Sequence, residues 1–154
     1  MQLGNILKAS AVKTLAGCSS KKRLFHDLGE LAEITYHVPA GTVTEALIER
    51  EGLGPTGVGH GIALPHARLD GLTQVCGLFL RLERPVSFDA VDRQPVDLVF
   101  SLLAPLEAGV EHLRALALVS RTLRNADICA KLRANSDPAT LHTILTEVSA
   151  SQAA

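Results

Sequence analysis

Gly57–Arg68, with the sequence GVGHGIALPHAR, carries most of the information in this chain. Its glycines stand at alternate positions, where the absence of a Cβ atom permits positive φ angles and a close approach by an anion or a partner backbone. The apolar triplet Ile62–Leu64 predicts a short buried strand. Pro65 favours extended geometry at the residue before it and excludes a helix. We therefore expect the imidazole of His66 just past a strand end, beside a loop of accessible amides.

Two common glycine motifs are similar to this loop, and neither fits its context. A dinucleotide-binding fingerprint places its glycines between a strand and a helix, whereas an apolar triplet and Pro65 follow here. A P-loop ends in Gly-Lys-Ser or Gly-Lys-Thr, and this stretch contains neither. A glycine-rich structural turn with a histidine at its edge is the alternative interpretation of the loop taken alone.

Composition limits the classes of function that the chain can have. Its 154 residues are enough to bury a core as one domain, 1–154, without disulfides or metal. A formal net charge of −1 leaves no excess of Lys and Arg for a nucleic-acid surface. No apolar run is long enough for a transmembrane helix, so membrane insertion is not expected either. The three cysteines lie far apart, which favours a reduced, cytoplasmic protein over a disulfide framework.

Helical and strand-like patterns alternate along the chain. They predict strands at 12–15, 75–82 and 96–103, a helix with Ser20 as its N-cap, and later helices at 108–124, 126–134 and 138–148. A capping-box pattern at Thr42–Glu45 predicts the start of a further helix, and Gly52 predicts its end. This order predicts an α/β fold with a small central sheet. The basic segment Lys21–Arg23 fits a solvated turn better than a docking surface.

Metal binding is a competing interpretation of the polar residues. Possible ligands are three aspartates (Asp89, Asp92 and Asp97) and three histidines (His60, His66 and His112). Aspartate is common in turns because it bonds its own backbone, and no carboxylate is placed to orient a histidine ligand. We therefore expect neither a metal site nor a cofactor. The remaining histidines, His26, His37 and His142, are expected to serve packing or to lie at the surface.

Arg50, His66 and His112 form the candidate catalytic group. A free imidazole with a pKa near 6.5 is roughly three quarters neutral at pH 7, and its unprotonated nitrogen can attack phosphorus without a base. Arg50, near a helix end, supplies a forked donor for phosphate oxygens. His112 falls in the first turn of a helix, where the dipole favours anions. The predicted phosphate-holding residues of the loop are Gly57, Gly59, His60 and Gly61.

Three segments of the chain resemble the mannitol/fructose-type IIA domains of the phosphoenolpyruvate:sugar phosphotransferase system. They are Gly57–His66, Phe88–Asp92 followed by Pro95–Leu98, and the helix with His112-Leu113 and Leu116–Val119. The resemblance covers nearly the whole chain. It implies a three-layer α/β sandwich with a small mixed sheet flanked by helices. It also implies that His66 receives a phosphoryl group from an HPr-like phosphocarrier, with His112 and Arg50 as supporting residues.

Within that family the sequence is most similar to the stand-alone nitrogen-regulatory proteins. Ser20–Arg23, Glu49–Glu51 and the lack of a fused IIB, IIC or HPr-like domain carry this similarity. It implies a phosphotransferase-type carrier whose phosphorylation state controls regulatory target proteins. A sugar-transport IIA that passes phosphate to a IIB domain is the alternative. His60 stands where Asn or Glu is frequent in the family, and Ala67 stands where Gly is frequent.

Overall fold

A mixed sheet of six strands lies at the centre of the computed structural model, which describes the backbone of residues 1–153 and the side chains of residues 1–147. The strands are β1 (Val12–Leu15), β2 (Gly57–Gly59), β3 (Ile62–Ala63), β4 (His66–Leu69), β5 (Cys76–Val86) and β6 (Val96–Pro105). Their order is β1-β5-β6-β3-β2, and β4 also pairs with β6. β6 is antiparallel to β5 and parallel to both β3 and β4.

The long antiparallel pair β5–β6 forms the middle of the core. Phe79 lies opposite Phe100 in the register, both rings are fully buried, and their centroids are 6.1 Å apart. β6 and the first half of β5 are near-continuous apolar runs, the pattern expected when helices cover both faces of a sheet. Two short 3₁₀ turns, Leu3–Asn5 and Ala9–Ala11, precede β1, which pairs in parallel with β5.

Helices form a layer on each side of the sheet. They are α1 (Lys21–Tyr36), α2 (Ala40–Glu51), α3 (Val110–Leu123), α4 (Ala126–Ala134) and α5 (Pro138–Ala153). α1 packs on α2, and these two contact β5 and β4 respectively, whereas α3 contacts α4, α5 and β6. The expected three-layer α/β sandwich is therefore confirmed. No helix within residues 1–153 combines the length and the apolar character needed to cross a membrane.

The helix pair α1–α2 shows where local sequence rules hold and where they fail. Ser20 caps α1 as predicted, because its side chain accepts a bond of 3.1 Å from the Arg23 amide. The capping-box prediction at Thr42–Glu45 is wrong. α2 begins at Ala40, two residues before Thr42, after Pro39, which supplies no side-chain cap. Pro39 has a φ of −55° and a ψ of 127°, so the chain changes from extended to helical geometry directly after it.

Strand boundaries differ from the predictions on both sides of the central pair. β5 continues to Val86 through an irregular register that begins after Arg81, so its end lies beyond the predicted residue 82. β2 and β4 were not predicted as strands. His66 follows the end of β3 at Ala63, as predicted, and it is also the first residue of β4. The helix predicted at 108–124 begins later, at Val110, after Gly109 adopts a φ of 50°.

Candidate functional site

His66 is held at the start of β4 by pairing with the central strand β6. It lies opposite Leu102, and the Leu102 amide donates a bond of 3.0 Å to the Pro65 carbonyl. Pro65 is buried and His66 is half-buried. The backbone on both sides of the imidazole is therefore fixed by the core of the sheet.

The ring of His66 is oriented by the backbone two residues before it. Its Nδ1 atom lies 2.9 Å from the Leu64 carbonyl oxygen. A carbonyl oxygen only accepts hydrogen bonds, so Nδ1 carries the proton and donates it. In the neutral ring this leaves the lone pair on Nε2. The arrangement therefore distinguishes the two ring nitrogens, and Nε2 is the one whose lone pair is available for chemistry.

His112, in the first turn of α3, is the neighbour of His66. The two ring centroids are 5.6 Å apart with the planes inclined by 45°. His112 is only 6% exposed, and its Nδ1 has no hydrogen-bond partner among the described residues. Burial lowers the pKa of His112, and the nearby His66 and Arg68 lower it further. The neutral ring is therefore favoured at pH 7, and its Nδ1 lies buried next to the site.

Arg50 lies in the last turn of α2, which places its side chain at the same site as His66. Its Nη1 donates a bond of 3.0 Å to the Gly54 carbonyl, which holds the guanidinium near the helix end. Arg50 and His66 together line two cavities, of about 450 and 380 Å³. His112 and Arg68 line the smaller one. The structure thus brings together Arg50, His66 and His112, the three predicted catalytic residues.

Arg68 is a cation of this site that the sequence analysis missed. In β4 the side chains alternate between faces, so Arg68 shares the face of His66 while Ala67 and Leu69 are buried. Its Nη1 donates a bond of 3.4 Å to the Leu106 carbonyl. The alternation of the segment HARL is a signal that could have revealed this residue, had a strand been predicted there.

The glycine loop forms the β2–β3 hairpin, and its close approaches are to protein atoms. A Cβ on Gly57 would lie 2.8 Å from the Ala90 Cβ, and one on Gly61 would lie 2.6 Å from Nη2 of Arg133. Packing thus requires glycine at Gly57, whereas at Gly61 the neighbours are the ends of movable side chains and glycine is favoured by the positive φ of 78°. These contacts do not test the predicted phosphate-holding role of Gly57, Gly59 and Gly61, which stays a prediction.

His60 lies at the tip of this hairpin with a φ of 58°. Its amide donates a bond of 2.9 Å to Oδ2 of Asp92, and its carbonyl accepts one of 2.7 Å from Nη2 of Arg133. Its side chain is exposed and lines another cavity, of about 590 Å³, together with Gly59 but without His66. The structure therefore does not bring His60 together with His66 and His112.

The residues considered as possible metal ligands do not assemble within the described part of the chain. No three His, Cys, Asp or Glu side chains there are placed to share a metal ion. Asp97 instead accepts a bidentate hydrogen bond from Arg133, and Asp92 caps the His60 turn. Nε2 of His142 donates a bond of 2.9 Å to the Leu7 carbonyl, because a carbonyl oxygen only accepts. The ring thus links α5 to the N-terminal segment, which is a packing role.

An imidazole protonated at Nδ1 lines a cavity together with two arginines and a second, buried imidazole, an arrangement suited to phosphoryl transfer. The family described as "Phosphoenolpyruvate-dependent sugar phosphotransferase system, EIIA 2" matches residues 5–148. The chain belongs to this family, whose members take part in phosphoryl transfer.

Relatives and solved structures refine the placement within the family. A nitrogen regulatory protein of Escherichia coli K12 is 40% identical over 148 residues, which cover 96% of this chain and 91% of the relative. A crystal structure of a nitrogen regulatory protein IIA from Neisseria meningitidis has a TM-score of 0.86 at 40% identity, covering 94% of this chain and 99% of that one. A fructose-specific EIIA component of Haloferax volcanii is 39% identical over 104 residues, 68% of each chain.

Proposed function

We propose that this protein is a cytoplasmic regulatory phosphocarrier formed by one IIA domain, 1–154, and that Nε2 of His66 carries the phosphoryl group. The observation that carries the proposal is the bond between Nδ1 of His66 and the Leu64 carbonyl, which leaves the lone pair on Nε2. An imidazole held in this form is a nucleophile at neutral pH and needs no base to remove a proton.

The transfer exchanges one nitrogen–phosphorus bond for another. The phosphoryl group comes from the phosphohistidine of an HPr-like donor. As Nε2 of His66 bonds to phosphorus, the donor's bond to phosphorus breaks and its electron pair returns to the donor nitrogen. The proton on Nδ1 stays in its bond to Leu64. Phosphoryl transfer depends on positioning and on electrostatic stabilisation of the equatorial oxygens, the roles we assign to Arg50 and His112.

The negative charge of the phosphoryl group is the change that partner proteins of such a carrier would detect. A phosphoryl group adds on the order of one and a half to two negative charges near pH 7, by analogy with other phosphorylated side chains. That charge alters which acidic or apolar partner surfaces can bind around His66, without refolding the domain. We assign a regulatory role because the relative from Escherichia coli and the solved protein from Neisseria meningitidis both carry the name nitrogen regulatory protein.

Transfer to a sugar-specific IIB domain is the second candidate function. The relative named as a fructose-specific EIIA component favours it, because it is almost as similar over the residues it shares with this chain. Both functions use the same chemistry at His66 and differ only in the recipient of the phosphate.

Phosphorylation of matched variants tests the site. Incubation with phosphoenolpyruvate, Enzyme I and the HPr-like carrier is expected to place an acid-labile phosphate on the wild-type protein and on His60→Ala. The same incubation is expected to leave His66→Ala unlabelled. Retained label in His66→Ala, with loss in His60→Ala, would overturn the assignment.

A second experiment separates the two functions. Pull-downs with the unphosphorylated and the phosphorylated protein are expected to recover different partners. Equal capture of the same proteins by both forms, together with efficient transfer to a fructose- or mannitol-type IIB domain, would favour sugar transport.

A further inference from the structure

An ion pair with limited exposure to solvent joins α1 to α2, close to the start of the glycine loop. Nζ of Lys21, in the first turn of α1, lies 2.9 Å from Oε2 of Glu51, the last residue of α2, and the side chains are 21% and 7% exposed. Nζ also donates a bond of 3.1 Å to the carbonyl of Phe88 and lies 4.6 Å from the centroid of its ring. Lys21 is therefore directed into the protein and is not part of a solvated basic turn.

The Glu51 carboxylate in turn holds Thr56, the residue immediately before the glycine loop. Its Oε2 accepts a bond of 2.7 Å from the Thr56 amide, and its Oε1 accepts one from the Thr56 hydroxyl. Both carboxylate oxygens are thus committed to Thr56, and Lys21 balances their charge. Removal of either charge leaves the other poorly solvated, which is costly at such low exposure.

Thr56 and His66 are linked through one residue. The Thr56 carbonyl accepts a bond of 3.0 Å from the Leu64 amide, and the Leu64 carbonyl accepts the proton of Nδ1 of His66. An unbroken sequence of hydrogen bonds therefore runs from Lys21 through Glu51, Thr56 and Leu64 to the imidazole.

We propose that Lys21 and Glu51 are positioning residues for His66. Their ion pair fixes Thr56, which fixes the backbone of Leu64 and so keeps the proton on Nδ1 and the lone pair on Nε2. The consequence for the rate of transfer rests on the proposed function of His66, whereas the consequence for the ring proton does not.

The magnitude expected follows from the geometry of the reaction. Displacement of a reacting group by about 1 Å costs up to about a hundredfold in rate. Two hydrogen bonds separate the carboxylate of Glu51 from the Leu64 residue, so we expect losses of roughly ten- to a hundredfold in phosphoryl transfer when either charge is removed.

Nitrogen NMR of the unphosphorylated protein tests the proposal. In the wild type, the ¹⁵N shifts of His66 are expected to show a protonated Nδ1 and an unprotonated Nε2. In Lys21→Met and Glu51→Gln, the proton is expected to redistribute towards Nε2, with slower phosphorylation by the HPr-like donor. Matched controls are Arg23→Met, an exposed position on α1 paired with Asp27, and Glu45→Gln, an exposed position on α2; both are expected to match the wild type.

Unchanged His66 nitrogen shifts and a wild-type rate in both folded variants would overturn the positioning role. If either variant fails to fold, Thr56→Val, which loses only the hydroxyl bond to Glu51, is measured in the same way. A smaller shift in the same direction then supports the proposal, and none contradicts it. Failure of the proposed function would show separately, as label retained in His66→Ala.

Discussion

His112 couples the candidate site to the stability of the fold. Its pKa is lowered from 6.5, first by burial and then by His66 and Arg68. Between the lowered value and 6.5 the unfolded chain binds more protons than the folded one, so acid favours unfolding. We expect the free energy of unfolding to fall as the pH drops through about 6.5, and to level off below the folded-state pKa.

Urea titrations between pH 5 and 7 measure this effect. The decrease is expected to be smaller in His112→Asn, which cannot be protonated, and unchanged in His26→Asn, where the histidine is exposed on α1. Identical pH slopes for the wild type and His112→Asn would show that burial of this ring does not control the acid sensitivity.

The two arginines at the site, Arg50 and Arg68, are expected to contribute to the rate of phosphoryl transfer. Loss of one oxyanion donor typically costs about 2.7–4 kcal/mol, or roughly a hundred- to a thousandfold in rate. We expect Arg50→Ala, at a half-buried position, to approach this loss, and Arg68→Ala, at an exposed one, to fall below it because solvent screens its charge.

Single-turnover phosphorylation by the HPr-like donor measures both losses, with circular dichroism to show that the fold is retained. Arg23→Ala, at an exposed position on α1, is the matched control and is expected to keep the wild-type rate. Wild-type rates in both Arg50→Ala and Arg68→Ala would mean that other groups stabilise the phosphoryl oxygens.

Among the elements, the α1–α2 contact depends on one glycine. A Cβ on Gly29 would meet the Thr44 hydroxyl and would lie 2.6 Å from the Ala40 carbonyl oxygen. Overpacking of this kind costs about 1–3 kcal/mol, so we expect Gly29→Ala to destabilise the protein by that amount. Gly41→Ala is the matched control on α2, where nothing lies within 4 Å of the added atom.

The two alanine substitutions are expected to have opposite effects. Alanine is favoured over glycine inside a helix by up to about 1 kcal/mol, so Gly41→Ala is expected to be neutral or stabilising. Equilibrium unfolding in urea compares the two variants directly. A stability of Gly29→Ala equal to that of Gly41→Ala would show that the helices separate without cost.

The sequence predicts an element well when residues within that element determine it, and poorly when the element depends on pairing with a distant part of the chain. α4 has the predicted bounds, Ala126–Ala134, because its cap and its periodicity are both local. β4 was missed because it has only four residues and exists by pairing with β6, more than thirty residues later. His66, Arg50 and His112 were found from chemistry and resemblance, but the partner of Nδ1 and the role of Lys21 depend on contacts that no local pattern contains.

For the whole molecule, we expect exposed apolar side chains around the cavities to contribute to docking of the phosphorylated donor. Leu113 is 62% exposed and lines the same cavity as His66. Residues that bury well in an interface contribute more than 1 kcal/mol, or roughly tenfold in affinity. We expect Leu113→Asp to raise the KM for the phosphorylated donor about tenfold with little change in kcat.

Steady-state phosphorylation and thermal unfolding together test this expectation. Ile34→Asp is the control: Ile34 is also highly exposed, on α1, but lines neither cavity that contains His66. It is expected to leave KM unchanged. An equal rise of KM in both variants would indicate a general effect of added negative charge.

The position of the two cavities at His66 also bears on whether two partner proteins can bind there at the same time. Both cavities are lined by Arg50 and His66, so a partner that buries a standard interface of about 800 Å² around Nε2 is expected to cover both. On the proposed function, we therefore expect donor and recipient to compete for this surface and not to form a ternary complex. An abundant recipient bound to the unphosphorylated protein is then expected to inhibit phosphorylation competitively, so that the phosphorylated fraction depends on the ratio of recipient to donor as well as on the supply of phosphate.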